Sequence, residues 1–486
     1  MKKKSLKINF IMNLILSMSV FIFPLITFPY VSRILKPEGM GKVSFATSLV
    51  TYFNMIAQLG IPVYGIRACA KVRDDKEKLT RTVQELFFIN LCMCVVAYIL
   101  FLIAITFVPR LQGEKALYII VSTTILLNAI GMEWLYKALE QYTYITIRSI
   151  VFKFLALVLM FMLVQKKEDY IIYGALTILA ASASNIFNFC NLHKYISMRP
   201  VGKYYPQKHI KSVIIFFAMT CASTIYTNLD TVILGFMKTN QDVGYYNAAV
   251  KIKIILVNLI TSLGAVLLPR SSYYVEHNLL DEFKRISTKA LNFVFIIAIP
   301  TMVYFVIFAK QSIYFLSGKE YFQSIQPMQI LMPTILFIGI TNILGIQMLI
   351  PLGHEKIVLC AEIAGAVIDL VMNAILIPKF ASSGAAIGTV LAEMIVFIVE
   401  FTYLKNIVID SFKKVQYTKI LIATLIGSIA SILILKLEIG NFATLVMSAI
   451  VFFGIYGCIL LFGKEPLVCE IVGQFVDKIR RKSSII

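Results

Sequence analysis

Long apolar runs recur along the whole chain and are separated by short polar connectors. Most runs reach about 20 residues, the length at which an α-helix crosses the hydrocarbon core of a bilayer. Membrane-spanning β-strands would be about half as long and would alternate apolar with polar positions. The pattern therefore predicts an all-α, polytopic membrane protein with about 14 transmembrane helices, at 8–32, 43–66, 86–109, 116–136, 145–165, 170–192, 212–236, 243–269, 290–309, 323–350, 357–378, 383–404, 419–436 and 441–463.

Composition and charge agree with a membrane protein and argue against a nucleic-acid partner. Only 15% of the residues are charged and 59% are hydrophobic, whereas soluble domains carry about 25% charged residues. The net charge is +20, but 30 of the 46 lysines and arginines fall in or beside connectors that share one side of the membrane when the N-terminus is inside. The positive-inside rule accounts for this charge, and it predicts cytoplasmic termini with an uncleaved first helix.

A repeat divides the first twelve predicted helices into two sets of six. Gly41 precedes Arg67 by 26 residues, and Gly244 precedes Arg270 by the same interval. Because six is even, the two sets have the same orientation in the membrane, as in transporters built from two parallel lobes. We therefore predict an N-lobe (1–200), a C-lobe (201–410), and a segment of two appended helices with a cytoplasmic amphipathic tail (411–486).

Several stretches of sequence together carry a family resemblance: FPYVSRILKPEGMGKVSFA, QLGIPVYGIR with KVRDDKEKL, EWLYKALEQYTYITIRSI, GYYNAAVKI with LGAVLLPR, and ITNILGIQMLIPLGHEK. Over residues 7–410 the chain resembles the Wzx-type flippases of O-antigen and capsule repeat units, which belong to the multidrug/oligosaccharidyl-lipid/polysaccharide exporter superfamily. The resemblance implies two six-helix lobes in a MATE-like V around a central cavity. It also implies transfer of an undecaprenyl-pyrophosphate-linked oligosaccharide from the inner to the outer leaflet by alternating access.

Lys251 is the leading candidate for binding the pyrophosphate of such a substrate. It shares one helical face with Asn247 and Asn258, at spacings of 4 and 7 residues, and charged or polar groups within a membrane tend to face a cavity or a partner. By resemblance, this helix lines the cavity. The alternative is that Lys251 snorkels to the outer surface. Lys253 lies about 200° around the helix and cannot share the face.

Further basic residues are candidate contacts to phosphate oxygens, since charge-assisted hydrogen bonds offset the hydration that an anion loses in a cleft. Arg33 precedes a glycine-containing connector and is either a group that swings into the cavity mouth or an interfacial anchor. Arg67 and Arg270 end their helices on the inner side, which the positive-inside rule also explains. The full cationic set is Lys251, Arg33, Arg67, Arg270, Arg148 and Lys153.

Acidic and amide side chains within the predicted helices are candidates for ion coupling and for sugar contacts. The predicted coupling residues are Asp230, in the first C-lobe helix, and the pair Glu362 and Asp369, seven residues apart on one face. The coupled ion, a proton or a sodium ion, is left open, and packing between helices is the alternative for the pair. Glu393 and Glu400 form a similar stripe, in which Glu400 is interpreted as a packing residue. Asn54 and Gln58, which share a face, would hydrogen-bond sugars or join helices.

Other residue types point away from metal binding and catalysis. The eight cysteines lack metal or disulfide spacing, and the four histidines lie in predicted cytoplasmic connectors without a supporting motif. We therefore expect no metal, no cofactor and no enzymatic activity, which leaves a membrane-bound glycosyl- or acyltransferase as a minor alternative.

A cation-coupled multidrug exporter is the main alternative within transport, although such exporters often use an acidic residue in the first helix and 8–32 has none. The expected setting is the bacterial plasma membrane, with a polymerase and other polysaccharide-assembly proteins as partners.

Overall fold

The computed structural model describes residues 6–470, 472 and 473, and within these residues the regular structure is helical, without a β-strand. A helix satisfies all its backbone hydrogen bonds internally, which lipid requires. Two compact units make up the chain, Met1–Gly244 and Tyr245–Ile486. The predicted lobe boundaries near residues 200 and 410 stay predictions.

The first unit contains ten α-helices and the beginning of an eleventh: α1 (Leu6–Gln58), α2 (Ile61–Lys71), α3 (Lys76–Phe107), α4 (Pro109–Gln112), α5 (Lys115–Gly131), α6 (Glu133–Ala138), α7 (Tyr142–Leu163), α8 (Tyr170–Ile178), α9 (Asn185–Asn191), α10 (Gln207–Met237) and α11 (Asn240–Glu276). A π-helix, Leu179–Ala183, connects α8 to α9. Within this unit α1 packs against α3, α5, α7 and α10.

The second unit holds most of α11 and the remaining helices: α12 (Leu280–Ile307), α13 (Ala309–Leu316), α14 (Ile325–Leu331), α15 (Pro333–Thr341), α16 (Glu355–Lys414), α17 (Tyr417–Ile432) and α18 (Asn441–Phe462). A second π-helix, Asn342–Leu349, follows α15. Short 3₁₀-helices lie at Lys167–Asp169, Leu192–Lys194, Lys319–Ser324 and Leu433–Leu437.

The prediction of an all-α, polytopic membrane protein is confirmed. Within the described residues, eleven helices are long and apolar enough to cross a membrane, or up to twelve if Lys319–Leu331 and Pro333–Leu349, bent by 43°, form one span. Two of the eleven are about 60 residues long, Ile11–Lys71 and Glu355–Lys414, and a straight helix of that length would reach about 90 Å. Each contains an internal break, so the predicted number of fourteen depends on how broken helices are counted.

The break in α1 lies at Lys36, whose φ is 60° and ψ is 174°. Proline disfavours the helical conformation of the residue before it, and Pro37 follows directly. The helix then resumes at once, so the predicted glycine-containing connector is helical. The predicted span 43–66 also ends early, at Gln58, because the chain turns at Leu59 and Gly60, where both φ values are positive.

The break in α16 lies at Ala381, with φ 46° and ψ −124°, and there the helix folds back on itself. A Cβ atom built on Gly384 would lie 2.9 Å from the backbone nitrogen of Ile377, and one built on Gly388 would lie 2.6 Å from Asn373 Oδ1. The two arms of α16 therefore form a tight antiparallel hairpin, and we call residues 355–380 its first arm and 382–414 its second arm.

The two glycines of the sequence repeat contact each other's helices. A Cβ atom on Gly41 would collide with the carbonyl group of Asn240 and lie 2.9 Å from the nitrogen of Gly244. A Cβ atom on Gly244 would likewise collide with Pro37. Glycine at both positions therefore allows the two backbones to touch.

The predicted appended helices correspond to α17 and α18, which pack against each other. Tyr304 of α12 donates a hydrogen bond to the carbonyl of Leu445 in α18 (2.8 Å), and Tyr456 of α18 donates one to the carbonyl of Ile296 (2.7 Å). These bonds fix the pair to α12. Beyond position 473, the predicted amphipathic tail lies outside the described residues.

Candidate functional site

Two donors on the α11 face that was predicted to bind phosphate have no acceptor within the described residues. Lys251 is half-buried, and within the described residues it forms no hydrogen bond or ion pair. The side-chain nitrogen of Asn258, seven residues further along, is buried and likewise has no partner in this part of the chain. Asn247, on the same face, is half-buried. A buried donor without an acceptor costs free energy, so this face is suited to a ligand that supplies oxygen atoms.

Arg148 is buried at the centre of a polar network in the first unit. Its guanidinium donates to the carbonyl of Ser184 (2.7 Å) and to Asn185 Oδ1 (3.1 Å), and it lies 3.6 Å from Glu133 Oε2. With its side chain only 6% exposed, Arg148 joins α7 to the segment around α9. This geometry accounts for Arg148 by packing and leaves little of the side chain free for a ligand.

The network continues through amides to α1. Asn185 donates to Asn128 Oδ1 (3.1 Å), and Asn128 donates to Asn54 Oδ1 (3.2 Å). The structure therefore connects two predicted site residues, Arg148 and Asn54, through two amides. Gln58, one turn after Asn54, is buried, and its Nε2 lacks a partner within the described residues.

The other predicted cations occupy different environments. The Lys153 ammonium donates to Ser19 Oγ at 2.7 Å and so fixes α7 to α1. Arg33 is exposed and donates to the carbonyl of Pro29. Arg67 is also exposed, and the exposed Arg270 donates to the hydroxyl of Tyr274 (3.0 Å). Their predicted contact with substrate phosphate stays a prediction.

The predicted coupling residues are buried or half-buried. Asp230 in α10 is 8% exposed and Asp369 in the first arm is 2% exposed. Asp369 Oδ1 and Asn373 Oδ1 both face Gly388 of the second arm, at 3.3 Å and 2.6 Å from the position of its Cβ atom. Glu362, on the same arm, is half-buried. Their coupling role stays a prediction.

One buried cluster was not found by sequence reasoning. Glu85 in α3 accepts hydrogen bonds from the Lys208 ammonium (2.7 Å) and His209 Nε2 (2.9 Å), and His209 Nδ1 lies 2.8 Å from the hydroxyl of Tyr64. His209 belongs to the first turn of α10 and not to the preceding connector. The partners are more than 100 residues apart in the chain, and no local pattern links them.

Comparison with known proteins agrees with this architecture. The chain shares its fold with a structure of the lipid II flippase MurJ in an inward closed conformation, at a TM-score of 0.72 and 17% identity over 93% of this chain and 98% of the other. A second similar fold is that of a multidrug resistance MATE family transporter in an inward-facing conformation, at a TM-score of 0.64 and 16% identity over 83% of this chain and 99% of the other.

Sequence relatives point to one family. An Escherichia coli K12 protein named "Putative O-antigen transporter" is 24% identical over 409 residues, which cover 83% of this chain and 98% of the relative. A Shigella dysenteriae protein of the same name is 24% identical over 402 residues, which cover 80% and 98%. Residues 6–275 match the family described as polysaccharide biosynthesis protein, which is more than half of the chain. The chain therefore belongs to the polysaccharide biosynthesis protein family.

Proposed function

We propose that this membrane protein moves an undecaprenyl-pyrophosphate-linked oligosaccharide, the repeat unit of an O-antigen, capsule or exopolysaccharide, from the inner to the outer leaflet. The family, the names of relatives aligned over 98% of their length, and a fold shared with a lipid II flippase support this proposal. Transport proceeds by alternating access and involves no covalent step. The bacterial plasma membrane, with both termini in the cytoplasm, is the proposed location.

The observation that carries the proposal is the α11 face with two unpartnered donors. Phosphate oxygens accept hydrogen bonds from ammonium and amide groups, and contacts that involve a charge are the stronger ones. Lys251 acts as a point charge that holds and then releases the pyrophosphate. Asn258 offers a neutral donor about two helical turns further along α11. The polyprenyl tail stays in lipid, since many apolar side chains of the helices are exposed on their surfaces.

Coupling and downstream partners complete the proposal. Transport of a pyrophosphate against its gradient needs an energy source, and Asp230, Asp369 and Glu362 are the proposed sites at which a proton or sodium ion binds. The translocated repeat unit is then a substrate for a polymerase and other assembly proteins on the outer face.

Charge substitutions at Lys251 test this proposal. In a host that depends on the protein for surface glycan, we expect Lys251→Ala and Lys251→Glu to lower export about tenfold or more, because a hydrogen bond to a charged group contributes about 1.5–3 kcal/mol. Lys251→Arg should retain part of the export. Lys253→Ala is the matched control, since it removes the same charge from another face of α11. Surface glycan and protein level are measured together, and full export by Lys251→Glu would contradict the proposal.

A further inference from the structure

Glu400 lies in the second arm of the α16 hairpin and is only 2% exposed. Its carboxylate contacts the backbone of the π-helix Asn342–Leu349, because a Cβ atom on Gly345 would lie 2.5 Å from Oε1 and 3.3 Å from Oε2. Within the described residues Oε2 has no hydrogen-bond partner. Glycine at position 345 thus lets a buried carboxyl approach the backbone of this helix. Short π-helical segments occur frequently at functional sites.

Two other buried glutamates, Glu85 and Glu465, are hydrogen-bonded. Glu85 accepts from Lys208, His209 and a backbone N–H at 2.7–2.9 Å. Glu465, which is 0% exposed, accepts from Asn292 at 2.8 Å and from a backbone N–H at 2.7 Å. Glu85 and Glu465 are thus buried together with donors, whereas the carboxyl against the π-helix has one oxygen without a donor within the described residues.

The groups that act electrostatically on Glu400 are themselves acidic. Glu362 and Glu400 each lie 19 residues from Ala381, so the antiparallel hairpin brings them to the same level. Glu393 lies two turns before Glu400 on the same arm. Two acidic side chains therefore share one level of the hairpin, and a third lies about 10 Å away along the second arm.

Within the described residues, no lysine or arginine belongs to the helices that pack against this level of the hairpin. The helices α14 and α15 and the π-helix, which pack against α16, contain no ionisable residue. The charged residues of α12 lie in its first turns, where Thr288 bonds Ser411, eleven residues beyond Glu400. His354 contacts Tyr403, and within the described residues neither His354 nor Lys251 forms an ion pair with Glu400.

We propose that Glu400 is a proton-binding site and that its carboxyl group is protonated in this conformation. An ionised carboxylate here would be buried with one oxygen lacking a donor and with Glu362 at the same level of the hairpin, which is unfavourable, and a bound proton removes that charge. This inference rests on the proposed function: during transport, the proton leaves Glu400 when the hairpin moves relative to the π-helix.

Infrared difference spectroscopy of the full-length protein in lipid nanodiscs tests the site. In the wild-type minus Glu400→Gln spectrum at neutral pH, we expect the C=O stretching band of one protonated carboxylic acid. Glu465→Gln is the matched control, since it removes an equally buried glutamate that has donors, and its difference spectrum should contain carboxylate bands. Carboxylate bands in the Glu400→Gln difference would overturn the proposal. So would loss of the acid band on replacing potassium with sodium, which would assign the site to a metal cation.

A transport measurement then separates the site from the proposed function. In vesicles with an imposed pH difference, we expect glycan-lipid translocation by the wild type to be accelerated and translocation by Glu400→Gln to be insensitive to the gradient. Gradient-stimulated transport by Glu400→Gln would overturn proton release from this site. A wild-type protein without translocation would instead reject the proposed function, while the infrared result on Glu400 would still stand.

Discussion

At the scale of single residues, the described structure separates polar side chains that stabilise helices from those that are available to a ligand. Arg148 and Lys153 share the sequence signature of Lys251, a cation within an apolar run, yet each has a polar partner on a neighbouring segment. The sequence alone could not make this distinction, because the partners Ser184 and Ser19 are distant in the chain. Burial and pairing thus leave Lys251 as the predicted cation with the strongest case for substrate contact.

Glu85 provides a stability prediction at this scale. Glu85→Ala should lower the free energy of unfolding by about 1–3 kcal/mol, because it leaves the buried His209 and the backbone N–H of Tyr205 without their acceptor. Thermal unfolding of the purified protein in detergent measures the effect. Glu470→Ala is the control, since Glu470 and Lys289 form an exposed pair whose loss should cost at most about 1 kcal/mol. Equal effects of the two substitutions would show that the cluster around Glu85 is not stabilising.

At the scale of elements, hydrophobic runs predicted the helices well and their ends less well. The run 43–66 is continuous in hydrophobicity, yet the helix ends at Gln58, because Gly60 lies against the backbone of α10, where a Cβ atom would lie 2.9 Å from the carbonyl oxygen of Val213. Such a contact is tertiary and leaves no periodic signal. The π-helix at 342–349 is similarly invisible, since its residues are as apolar as those of an ordinary span.

The turn of the α16 hairpin gives a second stability prediction. Ala381 has a φ of 46°, and an L-residue in left-handed backbone conformations pays about 1–2 kcal/mol that glycine avoids. Ala381→Gly should therefore raise the free energy of unfolding by about 1 kcal/mol, and Ala381→Val should lower it. The same thermal assay checks both changes, and destabilisation by glycine would contradict the strained turn.

The contact between Gly41 and Gly244 predicts a transport defect. Gly41→Val and Gly244→Val should each abolish glycan export without loss of the protein from the membrane, because the added side chain would separate two touching backbones. Gly454→Val in α18 is the matched control, since nothing lies within 4 Å of its Cβ position. Normal export by either of the first two variants would show that the close approach is dispensable.

At the scale of the whole molecule, composition and charge predicted the membrane class, and the order of motifs predicted the family. The division into lobes rests on matched landmarks in sequence, and two of them, Gly41 and Gly244, are in contact in the first unit. No local pattern could show which polar residues of distant helices pair. The candidate site was therefore predicted as a set of residues; the structure shows the packing partners of some of them, and their roles stay predictions.

Topology is the property of the whole chain that charge predicts most directly. In a cysteine-free background, single cysteines at exposed positions of 71–81, 194–211 and 405–418 should react with an impermeant thiol reagent only from the cytoplasmic side. Those at Glu38 and at exposed positions of 310–320 should react only from outside. The expectation follows from the distribution of lysine and arginine. Labelling of the first group in intact cells would show that the orientation is opposite to the predicted one and would contradict the proposed direction of transport.

The central claim is that the chain moves a lipid-linked glycan across the bilayer, and reconstitution tests it most directly. Purified protein is placed in vesicles that carry a fluorescent undecaprenyl-pyrophosphate oligosaccharide, and its exposure is followed with a membrane-impermeant glycosidase. We predict that glycan sheltered in the inner leaflet becomes cleavable over time with the wild type, and remains protected in protein-free vesicles and with Lys251→Glu. Protection by the wild type equal to that of protein-free vesicles would contradict the account.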